Sequence, residues 1–176
     1  MHKIKWGIIG SGNIAKAFAH SIKYCQNSEL TSVFGRNSEM VDQFSTKFDI
    51  AAFTDLDEFI SSNNIDAVYI ATPHNSHYFY SLEAIKNNKH VLCEKPLTMN
   101  YLESMTLLNL AKEAELFLME AYMYRTHPQT FNILEHLDIF KNTKEKIFIE
   151  SSFGFSAELP KDCLLYTSEL PTKQAV

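Results

Sequence analysis

Three short stretches carry side chains able to do chemistry. Glu94-Lys95-Pro96 follows the apolar run Val91-Leu92-Cys93. It places a carboxylate and an ammonium where a buried strand ends, and Pro96 cannot donate to a continuing ladder. Open parallel sheets bind ligands just outside the carboxyl ends of their strands, so Lys95 is the candidate catalytic residue. Gly10-Ser11-Gly12-Asn13-Ile14-Ala15 follows the apolar run Ile4 to Ile9 and is a G-x-G-x-x-A form of the dinucleotide fingerprint. Gly10 permits a tight turn, Gly12 lets a pyrophosphate approach the backbone, and Ala15 lets the next helix pack close. The amides opening that helix would hold phosphates. Gly10, Ser11, Gly12, Asn13 and Ile14 are therefore candidate cofactor contacts. Thr72-Pro73-His74-Asn75-Ser76-His77 ends a third apolar run, Ile65 to Ala71, and would lie on the same sheet edge. His74 and His77 stand three apart with no carboxylate beside them, so they are not assigned to a metal.

Cofactor choice rests on Arg36. The run Leu30 to Phe34 ends in Gly35-Arg36-Asn37-Ser38, at the place where NAD sites carry an acid for the ribose hydroxyls. A guanidinium there pairs with a 2′-phosphate instead. The cofactor expected is NADP rather than NAD.

The elements that must position these groups can be read from periodicity. Apolar runs at Ile4–Ile9, Leu30–Phe34, Ala51–Phe53, Ile65–Ala71, His90–Cys93 and Phe117–Met119 predict six strands. Helical spacing lies between them. Ile14, Phe18 and Ile22 mark one buried face, Val41, Phe44 and Phe48 another, and Leu56, Phe59 and Ile60 a third, opened by Asp55 with Glu58. Asn75 or Ser76 is expected to cap a helix containing Leu82, Ala84 and Ile85. Asn100 with Glu103 opens another, with Leu102, Met105, Leu108 and Leu110 or Ala111 on its apolar side. The alternation through residue 122 predicts an α/β doubly wound parallel sheet, a dinucleotide-binding domain over 1–122. Residues 123–176 change character. Pro128 opens a helix with Phe131, Leu134 and Leu137 on its buried side, and 146–156 alternates as one long strand, the start of a second domain.

Net charge is -5, which gives no electrostatic case for nucleic acid or an anionic membrane. No apolar run approaches a membrane span. Cys25, Cys93 and Cys163 are odd in number and unpaired in spacing, which points to reduced thiols in the cytoplasm.

Gly10-Ser11-Gly12-Asn13-Ile14-Ala15, Ala71-Thr72-Pro73 with His77, Glu94-Lys95-Pro96 and Glu120-Ala121 follow one another at intervals that resemble the Gfo/Idh/MocA oxidoreductase family. Met119 to Arg125 followed by His127-Pro128-Gln129 is most similar to its branch of dihydrodiol dehydrogenases and NADP-dependent xylose dehydrogenases. The resemblance implies a Rossmann domain followed by an α+β domain with a mostly antiparallel sheet, the active site between them. It implies Lys95 beside the nicotinamide and the reacting oxygen, and Glu94 fixing the turn and the cofactor. Thr72, Asn75 and His77 would line the nicotinamide side, and Arg125 would reach cofactor or substrate, so Lys95 and Arg125 are the candidate substrate contacts. It implies hydride transfer between NADP and a sugar, polyol or cyclic diol, and a homo-oligomer for the full-length form. A cation beside the reacting oxygen stabilises developing alkoxide, and burial would ease its proton exchange. The alternative is a non-catalytic NADP-binding or regulatory Rossmann protein.

The family's glycine-rich segment and following acid–base residues should come after Phe153-Gly154-Phe155. Residues 163–176 resemble nothing in the family. The chain is thus expected to be a C-terminally truncated fragment whose tail comes from a frameshift or an assembly join, which resequencing the locus would test.

Overall fold

The computed structural model describes residues 3–140, with 148 and 150. The expected strand over 146–156, those two positions aside, and the tail 163–176 with Cys163 lie outside the described residues. The chain divides after Ile133 into two units, and the sheet with the site residues named below belongs to the first.

The elements run β1 (Ile4–Ile9), α1 (Asn13–Ser21), β2 (Ser28–Phe34), α2 (Ser38–Phe48), β3 (Ala51–Phe53), α3 (Leu56–Ile60), β4 (Ala67–Ile70), α4 (His77–Lys86), β5 (His90–Cys93), α5 (Tyr101–Glu113), β6 (Leu118–Glu120) and α6 (Pro128–Phe140). The strands form one parallel sheet in the order β3-β2-β1-β4-β5-β6. This is the doubly wound arrangement expected. Its order reverses between β1 and β4, the place where such sheets open a crevice.

Strand residues alternate between two cores, since successive side chains point to opposite faces. Ile9, Phe34, Val68, Ile70, Val91 and Cys93 pack with Phe59, Ile60, Ala84, Ile85, Leu107 and Ala111 of α3, α4 and α5. Ile8, Val33 and Tyr69 pack on the other face with Ala15, Ala19, Val41, Phe44 and Phe48 of α1 and α2. Helix starts follow local chemistry. The side chains of Asn37, Asp55 and Asn100 each accept from the backbone N–H three residues on, at 2.9 to 3.0 Å, satisfying donors that the first helical turn leaves open.

Several expected faces are rotated or open. In α1 the buried residues are Ala15 and Ala19, with Ile22 buried just past its end and Ile14 40% exposed. Small residues let the helix lie close to the sheet, and a larger side chain would hold it off. In α5 Leu107 and Ala111 are the buried positions, while Leu102 is 74% and Leu108 44% exposed. Leu102 lies off the line through Leu107 and Ala111, which packs on the sheet core with the partly buried Leu110 beside it. Phe131 and Leu134 of α6, expected on its buried side, are exposed. Ser76 does not cap α4 with its side chain. Among the described residues no helix is long and apolar enough to cross a membrane.

Lys89 is buried, a residue type rarely found inside unless partnered. Its Nζ donates to the carbonyls of Ser62 and Ile65, both at 2.8 Å, tying the β5 entry to the loop after α3. Burial lowers its pKa below the usual lysine value, with Asp66 opposing. Lys89→Ala leaves two carbonyls without their donor and should cost about 1–3 kcal/mol of unfolding free energy. Lys86→Ala, on an exposed pair with Glu83, should stay within about 0.5 kcal/mol. The urea midpoints of the two variants measure the difference.

Candidate cofactor and catalytic site

Register makes the carboxyl ends of the strands level. Phe53 pairs with Phe34, Phe34 with Ile9, Ile9 with Ile70, Ile70 with Cys93 and Cys93 with Glu120. The residues just past this row are the candidate site: Gly10, Gly35, Ala71, Glu94 and Ala121. β1 and β5 are separated by β4 alone, so at the usual strand spacing roughly 10 Å lies between the glycine turn and the Lys95 turn.

A cleft of about 390 Å³ opens over the switch point. Gly10, Ser11 and Gly12 form one wall, Arg36, Asn37 and Met40 a second, and Thr72, Pro73 and Ser76 a third. No carboxylate lines it. The two glycines serve different ends. Gly10 has φ +108, and a Cβ there would fall 2.6 Å from the Ala71 carbonyl oxygen, so its lack of a side chain is structural. Gly12 has an ordinary extended backbone, φ -74 and ψ -173, and nothing lies within 4 Å of where its Cβ would stand. The fold leaves that space open at the start of α1, and a pyrophosphate fits there on the residues present.

The cleft gathers Gly10, Ser11, Gly12, Arg36 and Thr72 among the expected contacts. Asn13 and Ile14 stand exposed in the first turn of α1 and do not line it. Asn75 is exposed within the 3₁₀ turn His74–Ser76. Ser76 Oγ turns back to Thr72 Oγ1 at 2.8 Å and the Pro73 carbonyl at 2.7 Å, which is why it leaves α4 uncapped.

His77 is fully buried. Its Nδ1 lies 2.7 Å from the Pro96 carbonyl and its Nε2 2.8 Å from the Thr72 carbonyl. The ring ties two loops together and presents no surface to a ligand in this structure.

Glu94 is half-buried, and its Oε1 accepts from the Tyr69 hydroxyl at 2.6 Å. Tyr69 stacks on Phe18 with ring centroids 4.1 Å apart. Burial and the Glu94 carboxylate push its phenol up from its usual pKa, so it remains a donor to Glu94. Sequence reasoning missed Tyr69 as the partner of Glu94, because it reads as one more apolar residue of a buried strand. Glu120 Oε1 accepts from the Leu97 N–H at 2.8 Å and fixes the far side of the same turn, whose Lys95–Pro96 peptide is cis.

Lys95 itself is exposed; the enclosure expected around it is not supplied by the described residues. It stands near the His74 ring, whose pKa is lowered by burial first, then by His77 and Lys95, with Glu94 opposing. Arg125 lines a separate hollow of about 370 Å³ with Phe117, Glu120 and Tyr122, so the structure does not bring it into the cleft of the glycine turn. Cys93, buried under the turn, has its thiol pushed up to about 12 mainly by burial, which leaves it without nucleophilic character. Among the described residues no three metal-ligating side chains cluster.

A six-stranded parallel sheet with a glycine turn and an open crevice at its switch point defines a Rossmann-type nucleotide-binding protein. Residues 4–122 match the family described as "Oxidoreductase family, NAD-binding Rossmann fold", and the chain belongs to that Gfo/Idh/MocA family. It is 36% identical over 135 residues to scyllo-inositol 2-dehydrogenase (NADP(+)) IolU of Bacillus subtilis, covering 76% of this chain and 41% of that protein. It is 31% identical over 148 residues to D-xylose 1-dehydrogenase (NADP(+)) of Hypocrea jecorina, covering 76% and 38%. Among solved structures it resembles KijD10, a 3-ketoreductase from Actinomadura kijaniata in complex with NADP and TDP-benzene. The TM-score is 0.74 at 29% identity, over 78% of this chain and 43% of that one. The chain thus spans about two fifths of the length of these relatives.

The two glycines should separate experimentally. Gly10→Ala forces a Cβ against a backbone oxygen at positive φ and should cost about 3 kcal/mol or more. Gly12→Ala meets open space and should stay within about 1 kcal/mol. Thermal or urea unfolding of both variants checks the contrast.

Proposed function

We propose that the chain binds NADP(H) in the cleft over β1 and β4 and supplies Lys95 to an oxidoreductase acting on a sugar, polyol or cyclic diol. The observation that carries the binding half is Gly12. Its backbone conformation suits any residue, yet a side chain is absent where the helix amides open into empty space. Nothing within the protein requires glycine there, whereas a phosphate resting on the amides does. Arg36 in the same cleft, with no acid beside it, favours NADP over NAD. The names of relatives that use NADP(+) are consistent with this choice.

On this reading Gly10, Ser11 and Gly12 hold the pyrophosphate, with Asn13 and Ile14 contributing the first helical amides. Arg36 pairs with the 2′-phosphate, and Thr72 and Asn75 flank the nicotinamide end. Bound NADP supplies hydride acceptance or donation. Lys95 carries a positive charge to the substrate oxygen and stabilises alkoxide character there. Glu94, held by Tyr69, orients the turn and balances that charge. Arg125 is assigned to the substrate side, its hollow being distinct from the cleft. The substrate class follows the relatives named for inositol and xylose. We further infer a homo-oligomer for the full-length form. Cys25 and Cys93 are free thiols, which fits a cytoplasmic setting.

Titration of the chain with NADPH and NADH is the direct test. NADPH should bind more tightly, by about 1.5–3 kcal/mol for a charged hydrogen-bonded pair, which is about ten- to a hundredfold. Arg36→Ala should remove most of that difference. Equal affinities, or tighter NADH, would overturn the role of Arg36. Gly12→Ala should lose at least about tenfold in NADPH affinity while staying folded. In any preparation that turns over a sugar or diol, Lys95→Ala should lower kcat by about 10²–10⁴-fold with NADPH affinity nearly unchanged.

A further inference from the structure

We propose that His77 is a doubly protonated clamp: Nδ1–H donates to the Pro96 carbonyl and Nε2–H to the Thr72 carbonyl, which holds the Lys95 turn against the wall of the cofactor cleft. The functional consequence rests on the cofactor reading above; the hydrogen-bond assignment does not.

The two partners decide what the ring can do. Both are backbone carbonyls, which only accept, and they lie 2.7 and 2.8 Å from the two ring nitrogens. A neutral imidazole has a single N–H. It would make one of these bonds and direct a lone pair at the other oxygen, in a place with no exposed surface and hence no water to relieve the contact. The imidazolium makes both bonds, and each is charge-assisted.

Other groups bear on the ring. His77 is the first residue of α4, and a helix N-terminus disfavours a cation. Full burial of the ring also disfavours the charged form. Against the helix end, which acts as about half a charge, stand two carbonyls in direct contact with the ring nitrogens, each able to accept a charge-assisted bond that a neutral ring can make only once. The neighbouring His74 ring stands edge-on at 5.6 Å between centroids. Its own pKa is lowered by burial first and then by His77 and Lys95, with Glu94 opposing, which disfavours a second cation at the turn.

The clamp positions Lys95 through the backbone. Pro96 follows Lys95 directly, and Thr72 lines the cleft, so one buried ring sets the spacing between the two loops. His77 is thus a positioning residue.

Two other histidines provide references within the same chain. His90 Nδ1 accepts from the Phe117 N–H at 3.0 Å, and His127 Nδ1 accepts from the Gln129 N–H at 3.2 Å. Each must carry a lone pair on that nitrogen.

The test is a proton–nitrogen correlation spectrum of the chain with ¹⁵N-labelled histidine, without cofactor, at near-neutral pH. His77 should show directly bonded protons on both ring nitrogens, slow to exchange because the ring is buried. His90 and His127 should each show a lone-pair Nδ1. The His77→Gln variant identifies the signal by its loss, and the backbone amide signals of Lys95 and Leu97 should shift in it while those of β1 stay. A spectrum of the unsubstituted chain in which no histidine holds two slowly exchanging ring protons overturns the clamp, whether or not the variant folds. Unmoved Lys95 and Leu97 signals in a folded His77→Gln overturn the positioning role. Because no dinucleotide is present, these outcomes are separate from the NADPH titration.

Discussion

Everything at the candidate site depends on the parallel register of the sheet. One row of paired residues, from Phe53 through Ile9 and Ile70 to Glu120, ends the strands at the same level. A parallel ladder needs its connections to return over the faces, and those connections are the helices that bury both sides. The turns that leave the row therefore share one rim. Reversal of strand order between β1 and β4 parts the helices and opens the crevice there. The glycine turn, Arg36 and the Thr72 loop meet because three strands end together.

The rim is then stiffened by buried polar groups rather than by apolar contacts. Tyr69 holds Glu94, Glu120 holds the Leu97 amide, and His77 holds the carbonyls on either side of its ring. In a low-dielectric setting such bonds are strong when complete and costly when broken. That suits a place where a charged turn must keep its position beside a ligand. Lys89 does comparable work at the opposite end of β5, where it secures the loop after α3. β5 is thus pinned by ionisable groups at its entry and its exit, an arrangement that its apolar run Val91-Leu92-Cys93 does not suggest.

Much of the fold was legible. β1, β3 and β5 match their expected bounds, β2 differs by two residues at its start, and β4 and β6 differ by one or two residues at both ends. Asp55 and Asn100 cap the helices they were expected to open. These features are local: a cap bonds three residues away, and an apolar run is buried whatever covers it. Helix faces were less legible. Ile14 and Leu102 look like core residues by type but stand exposed, since a short amphipathic segment leaves its rotation open until a neighbour's shape selects Ala15 and Ala19, or Leu107 and Ala111. The candidate site divided in the same way. The glycine turn and Arg36 were readable from spacing and occupy one cleft, whereas His77 is buried behind the Thr72 loop and Arg125 lines a separate hollow.

By itself the sequence determined the class of fold, the family and the turn chemistry, because strand alternation, glycine spacing and the Glu-Lys-Pro stop are covalent facts of neighbouring residues. Only the tertiary structure decided which atoms those residues meet. Tyr69 reaches Glu94 across 25 residues, His77 reaches Pro96 across 19, and Lys89 reaches Ser62 across 27. Such bonds form only once the sheet has set its strands side by side. Their strength depends on burial, which belongs to the folded chain as a whole and to no single segment of it.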